Sequence, residues 1–319
     1  MTAELRGGDL ADAFNAASRE LRIPERILEK DFWVSQVLRT IFAEHSAQVL
    51  FKGGTSLSKC WGIIQRFSED IDLLLLTDPG DATEELLDAL TELASAVCGH
   101  PGVVGEAVPG FARVTTVRYP MAPNTPKYGG LRQDIRLEPG VRGGPKPEEA
   151  VEIAPMLRVG LGDAASEFDD LQPFRVRALH PARTLVEKLF AVDDLAVRLL
   201  DDPSAEPGST QCRHFYDIHF LLEDGSRSVE FLTEGSSYQE IADDCAQVSA
   251  RFFADSDAEA AAPRRSAGEF HASPAFSDEA LIDRLSPGFD RTMSELCFLG
   301  APRPSLSEVC AHARSLVWL

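Results

Sequence analysis

Asp70 and Asp72 stand one residue apart at the head of an apolar run, "DIDLLLL". In an extended strand, residues i and i+2 project to the same face, so these carboxylates share a side while Ile71 faces the other way. Two carboxylates that close repel each other unless a cation joins them. Magnesium, or manganese in its place, suits such a pair, because a hard ion takes oxygen ligands and keeps water and substrate phosphates in its remaining positions. The pair could hold one ion, or two at the separation of about 3.5–4 Å used in two-metal phosphoryl transfer. Upstream lies Gly53-Gly54-Thr55-Ser56, with Lys59 soon after. Glycines let the backbone approach a ligand closely, and the free N–H groups of a following helix face an anion. The Thr55 and Ser56 hydroxyls could bind phosphate or cap that helix. An anion cradle succeeded by a carboxylate pair suits a nucleoside triphosphate with its metal. Each motif alone has a plainer reading, a capped turn or a solvated strand end. Their order, with an apolar strand behind the acids, selects the functional one. A Walker A loop is excluded, because Ser58 stands where the glycine before Lys59 is required.

These residues need a strand–turn–helix–strand unit to position them, and the chain supplies one. Residues 9–21 and 25–44 read as helices, with Pro24 at the start of the second. Residues 48–51 form a short strand, Gly53-Gly54 a turn, 56–64 a short helix and 70–76 a strand buried on both faces. A helix is expected over 82–98 and strands over 111–119 and 131–138, separated by a loop with Pro120, Pro123 and Pro126. Residues 139–172 read as a connection with a short strand near 156–160. The next strand spans 174–179, and a helix runs from Pro181 to about Leu200. Residues 201–210 form a loop, another helix begins at "CRHFYDIHFLL", and the rest is mainly helical apart from 256–269. Strands dominate 46–179 and helices dominate from there to the C-terminus, which gives two lobes with a boundary near 180.

The 319 residues, 44% hydrophobic and 26% charged, have the composition of a soluble globular protein of one elaborated domain or two. No apolar run is long enough to span a membrane, and the N-terminus lacks the pattern of a secretory signal. Six cysteines without paired spacing argue against a zinc site or disulfide framework and for a cytoplasmic location. A net charge of −20 argues against non-specific nucleic-acid binding. One stretch departs from that average: Arg113, Arg118, Lys127, Arg132, Arg136, Arg142 and Lys146 are offset only by Asp134 and Glu138. A polyanion could be held there, or the stretch could be a solvated face.

"GGTSLSK" with "RFSEDIDL" after it resembles the signature of AbiEii/AbiGii-type toxin nucleotidyltransferases of the DNA polymerase β-like superfamily. "LEKDFWVSQVL" (28–38), "TLVEKLFAV" (184–192) and "RHFYDIHFLL" (213–222) resemble further blocks of that family, so the likeness covers about 28–222 and leaves the C-terminal third without a motif. The resemblance implies an α+β fold: a polymerase β-like nucleotidyltransferase core, a mixed twisted sheet flanked by helices, over residues 1–180, and a mainly α-helical domain over 181–319. It implies a bacterial type IV toxin–antitoxin or phage-defence system, with an antitoxin as partner. The reaction would be transfer from a nucleoside triphosphate to RNA, notably the 3′ end of tRNA. Position by position, Gly53, Gly54, Thr55, Ser56 and Lys59 fall in the nucleotide-binding segment, Asp70 and Asp72 hold magnesium, Lys188 contacts triphosphate and Asp217 completes the catalytic set.

The residues themselves are compatible with those roles. Lys188 borders an apolar arc on its helix, which costs desolvation unless it meets an anion, although a snorkelling side chain is the plainer reading. Asp217, flanked by aromatics, reads as a buried carboxylate paired with Arg213 four residues earlier. His214 and His219 read as structural. Polymerase β-like enzymes commonly carry a third carboxylate on a neighbouring strand. Asp134 and Glu138 are the candidates, and Asp134 is the one assigned to the site. Two other functions remain open: a small-molecule nucleotidyltransferase of the antibiotic-modifying kind, and an inactive nucleotide-binding protein.

Overall fold

The computed structural model describes residues 4–68, 70–77, 81–105, 113–122, 131–141, 143–206, 208–253, 269–298, 300–316 and 318. The chain is α+β and divides into two compact units, Met1–Gly62 with Phe67–Ala178 and Phe298–Gly300, and Ile63–Arg66 with Leu179–Cys297 and Ala301–Leu319. No described helix is long and apolar enough to cross a membrane.

The first unit holds helices α1 (Gly7–Leu21), α2 (Glu25–His45), α3 (Gly53–Lys59), α4 (Asp81–Cys98) and α5 (Met156–Leu161). Its strands are β1 (Val49–Lys52), β2 (Asp70–Leu75), β3 (Val103–Val104), β4 (Thr115–Arg118), β5 (Asp134–Gly140), β6 (Glu148–Ile153) and β7 (Phe174–Leu179). They form a mixed sheet in the order β3-β4-β5-β2-β1-β7-β6. β2 lies at its centre, antiparallel to β1 and parallel to β5. That position explains the apolar run: Leu73, Leu74 and Leu75 are all buried, as a strand covered on both faces requires.

Two expectations are corrected. Gly53 and Gly54 are not a turn ahead of a helix over 56–64; α3 starts at Gly53 and ends at Lys59. Gly53 takes a left-handed φ of +76°, so the chain reverses at that residue and winds at once. The connection over 139–172 holds the strand β6, and the strand expected near 156–160 is the helix α5. β6 is an edge strand, where Glu148, Glu149 and Glu152 can stand without burial, so it lacks an apolar alternation to find. α5 is helical because α2 caps it: Asp31 accepts a 2.6 Å hydrogen bond from the Met156 amide. Gly160 lets α5 lie directly on α1, over a cluster that includes Phe14, Ala17, Phe32 and Leu157. Part of the strand expected over 111–119 and most of the stretch 256–269 lie outside the described residues, as do Pro123 and Pro126.

The second unit is helical: α6 (Pro181–Asp201), α7 (Ser209–Glu223), α8 (Glu230–Thr233), α9 (Ser237–Phe253), α10 (Pro274–Ser277), α11 (Glu279–Leu296) and α12 (Leu306–Ser315). Pro181 occupies the first turn of α6, and His180 caps it by accepting from the Ala182 amide. Aromatic contacts Phe190–Phe270 and Phe215–Phe276 join α6 and α7 to the later helices. Arg66, far away in sequence, enters this unit through a bridge to Cys297.

The α1–α5 contact gives a test of the packing. A Cβ at Gly160 would overlap the Ala17 Cβ and lie 2.8 Å from the Ala17 Cα. Gly160→Ala is expected to lower the unfolding free energy by about 1–3 kcal/mol, the usual cost of overpacking, measured by urea denaturation.

Candidate active site

In the first unit the glycine corner and the carboxylate pair meet. Lys52 of β1 registers opposite Asp72 of β2. The chain then turns at Gly53, where a Cβ would overlap Asp72 Oδ2 and lie 2.7 Å from its Cγ. Only glycine leaves room for that carboxylate, and only glycine takes this φ without strain. Asp70 and Asp72 occupy alternate positions of β2, both half-buried, with Ile71 fully buried between them.

The hydroxyls expected to meet phosphate have other work. Thr55 donates to the Asp70 carbonyl at 2.6 Å and is 3.0 Å from the Ser68 hydroxyl. Ser56, fully buried, donates to the Gly53 carbonyl at 2.9 Å. Each spends its one proton inside the protein. They hold the corner and the first residue of β2 together, leaving the backbone of Gly53 and Gly54 as the part that can approach an anion. Lys59 likewise has a partner, the carboxylate of Asp31, in a pair where both side chains are buried.

The neighbouring strand supplies a third carboxylate. β5 registers Arg136 beside Asp70 and Glu138 beside Asp72. Burial pushes the Glu138 carboxyl above its ordinary range, the charge of Asp72 pushes it further, and Arg136, 2.6 Å away, pulls it back. Asp134, the residue favoured from sequence, lies four positions earlier, opposite Arg118 and 3.1 Å from Arg132. Alternation places both acids on one face of the strand; only the register tells which meets Asp72.

Of the basic stretch, Arg113 pairs with Glu84 and Asp88, Arg132 with Asp134, Arg136 with Glu138, and Lys146 with Glu148. Arg118 is exposed, and Lys127 and Arg142 lie outside the described residues. Paired in this way, the stretch is less cationic than a count along the chain suggests.

In the second unit Lys188 and Asp217 are brought together across α6 and α7, at 2.9 Å. Asp217 is fully buried, and the arginine that holds it is Arg66 rather than the expected Arg213. Arg66 grips it with two bonds of 2.7 Å, Nε to Oδ1 and Nη2 to Oδ2. Burial alone would raise the Asp217 carboxyl; Arg66, then Lys188, reverse this and hold it well below the usual carboxylate range. The Lys188 ammonium also lies 3.3 Å from His214 Nδ1. An ammonium only donates, so that nitrogen accepts and the ring is neutral. Sequence reasoning misses both companions: it gives Arg66 no role and reads His214 as structural. Arg66 sits four residues before Asp70 within "RFSEDIDL", but nothing in a sequence couples it to a residue 151 positions later.

Among the described residues no three or more His, Cys, Asp and Glu side chains converge into a metal cage. Asp70 and Asp72 nonetheless offer hard oxygen donors on one face, Glu138 is next to Asp72, and the glycine corner lies against Asp72. That set fits an ion that takes its remaining ligands from phosphate and water, as magnesium does.

The state of His214 has a consequence for stability. Burial, then the charge of Lys188, push it down to about 3; Asp217 opposes this, and Arg66 and Arg213 add to it. The unfolded chain takes up the proton below about 6.5, which the folded chain refuses, so folding weakens as pH falls below that value. Between pH 7 and 5 the wild type should lose about 2 kcal/mol more unfolding free energy than His214→Asn, measured by denaturant titration at each pH.

Comparison with known proteins places the chain. The profile of the family described as "Nucleotidyl transferase AbiEii toxin, Type IV TA system" matches residues 36–307, and so runs through the C-terminal third where no motif is legible. No curated protein matches. Among solved structures, the chain is similar to MenT4, the nucleotidyltransferase toxin Rv2826c from Mycobacterium tuberculosis H37Rv, at 20% identity and a TM-score of 0.42, over 82% of this chain and 98% of that one. With a match over most of its length, the chain belongs to the AbiEii family of nucleotidyltransferase toxins of type IV toxin–antitoxin systems.

Proposed function

We propose that this toxin is a magnesium-dependent enzyme that moves a nucleoside monophosphate from a nucleoside triphosphate to RNA, at the 3′ end of tRNA. The observation that supports this most is the contact of the Gly53 backbone with the Asp72 carboxylate. It puts an anion-accepting corner and a cation-holding acid side by side, as a metal-bound triphosphate requires. The RNA acceptor rests on the family resemblance, and so does the cytoplasm as the place of action. The cognate antitoxin is the partner such a system implies.

In this reading Asp70 and Asp72 hold the magnesium, which when bound supplies charge neutralisation for the polyphosphate. The Gly53–Gly54 backbone receives the phosphates, while Thr55 and Ser56 keep that corner rigid. Lys188 binds a phosphate oxygen: of its three N–H donors, one goes to Asp217 and one to His214, which leaves one. Glu138, not Asp134, takes the proton of the acceptor hydroxyl, since its burial beside Asp72 favours proton uptake. The acceptor oxygen bonds to the α-phosphorus in line as the bond to pyrophosphate breaks. Catalysis is positioning and charge neutralisation.

The test is incubation with total RNA and each of the four α-labelled triphosphates in magnesium, read on a gel. Wild type should label tRNA-sized RNA with at least one triphosphate. Asp72→Asn should lose at least about 100-fold in transfer while keeping its circular dichroism. Magnesium should raise the melting temperature of the wild type but not of this variant. Label on no RNA, or full activity in Asp72→Asn, would overturn the reading; label on a small molecule instead would move the acceptor to the antibiotic-modifying class.

A further inference from the structure

The acidic centre of the helical unit is built to aim a single cation. Asp217 lies at zero exposure; Arg66 takes both of its oxygens and Lys188 shares Oδ2. A carboxylate so enclosed, with both oxygens taken by cations of its own chain, is in no position to accept a proton from a substrate hydroxyl. It can fix the direction of the Lys188 ammonium. Arg66 makes that direction definite, because a bidentate guanidinium locks the plane of the carboxylate, which a single bond would leave free to rotate. His214 supplies the second point of attachment through Nδ1 at 3.3 Å. An ammonium tied by two of its N–H groups cannot rotate about the Cε–Nζ bond, so the direction of its third N–H is fixed.

Lys188 is 8% exposed, so an ammonium N–H left without an acceptor there is costly until an anion meets it. The backbone fixes the group as well: Arg66 is pinned by its bridge to Cys297, and His214 and Asp217 lie three residues apart on α7.

We propose that Arg66 and His214 are positioning residues for Lys188, holding its ammonium so that the one uncommitted N–H meets a triphosphate oxygen. This rests on the proposed role of Lys188 and extends it to two residues without an assigned part in the reaction. The role of His214 is specifically that of a neutral acceptor. An asparagine at 214 retains an oxygen at about the place of Nδ1; a leucine of similar size retains none.

The experiment compares wild type with Lys188→Ala, His214→Leu, His214→Asn and Arg66→Lys in the full-length protein. Three quantities are measured: KM against kcat for triphosphate, the dissociation constant of a magnesium-bound α,β-methylene triphosphate by calorimetry, and the side-chain 15Nζ signal of Lys188 by NMR. A held ammonium gives a slowly exchanging, observable signal. His214→Leu should raise KM and the dissociation constant roughly tenfold, the loss expected for one charge-assisted hydrogen bond, with a smaller change in kcat. It should also abolish the Lys188 signal. His214→Asn should restore both to within about threefold of wild type on the same scale. Arg66→Lys, which cannot grip both oxygens, should resemble His214→Leu; should it fail to fold, the His214 pair decides alone. If Lys188→Ala weakens analogue binding but His214→Leu leaves both binding and the NMR signal as in wild type, the positioning role is wrong. If Lys188→Ala binds the analogue like wild type, the triphosphate role of Lys188 fails, while loss of the signal in His214→Leu would still establish that His214 holds the ammonium.

Discussion

A buried carboxylate needs hydrogen-bond donors of its own chain, and in this protein that requirement ties together segments distant in sequence. Asp31 of α2 takes Lys59 of α3 and the Met156 amide of α5. Glu29, also on α2, takes Arg26 and the Ala122 amide. Asp217 takes Arg66 and Lys188. Such pairs add little net stability, because desolvation offsets the attraction, but removing one partner leaves a stranded charge at a cost of about 3–5 kcal/mol. Their effect is therefore on specificity: few alternative arrangements of the chain satisfy all three acids.

The half-buried face of the sheet obeys a different rule. Asp70, Asp72 and Glu138 stand at adjoining positions of β2 and β5, with Lys52 opposite Asp72 and Arg136 beside Asp70. Gly53 takes a left-handed backbone where it packs against Asp72. Local rules are broken most often at functional sites, and a half-buried carboxylate pair set against a left-handed glycine is such a break.

The electrostatic picture also changes between chain and fold. A net charge of −20 with one basic stretch suggests a cationic patch on an acidic body. The fold commits most of that stretch to ion pairs, both along β5 and with α4. The cation that stands out is instead Lys188, whose companions carry charge of both signs within a few ångströms. A fixed and nearly enclosed cation is screened less than solvated ones, so its field reaches further at equal charge.

The local elements and the candidate residues are legible in the chain. Period-two and helical patterns depend only on neighbours in sequence, so α1, α2, α4, α6, β2 and β7 can be read there, as can the pairing of a glycine corner with Asp70 and Asp72. The reading fails where an element owes its state to a distant partner. α5 is a helix because Asp31 caps it and Ala17 receives Gly160, and β6 is a strand because an edge needs no apolar alternation. Only the folded arrangement puts Glu138 rather than Asp134 beside Asp72, turns the Thr55 and Ser56 hydroxyls to backbone carbonyls, and gives Asp217 to Arg66 and Lys188 in place of Arg213. The reason is common to all of these. Register and long-range ion pairs are set by which surfaces meet, and a linear pattern carries the preferences of each surface but not the identity of its partner.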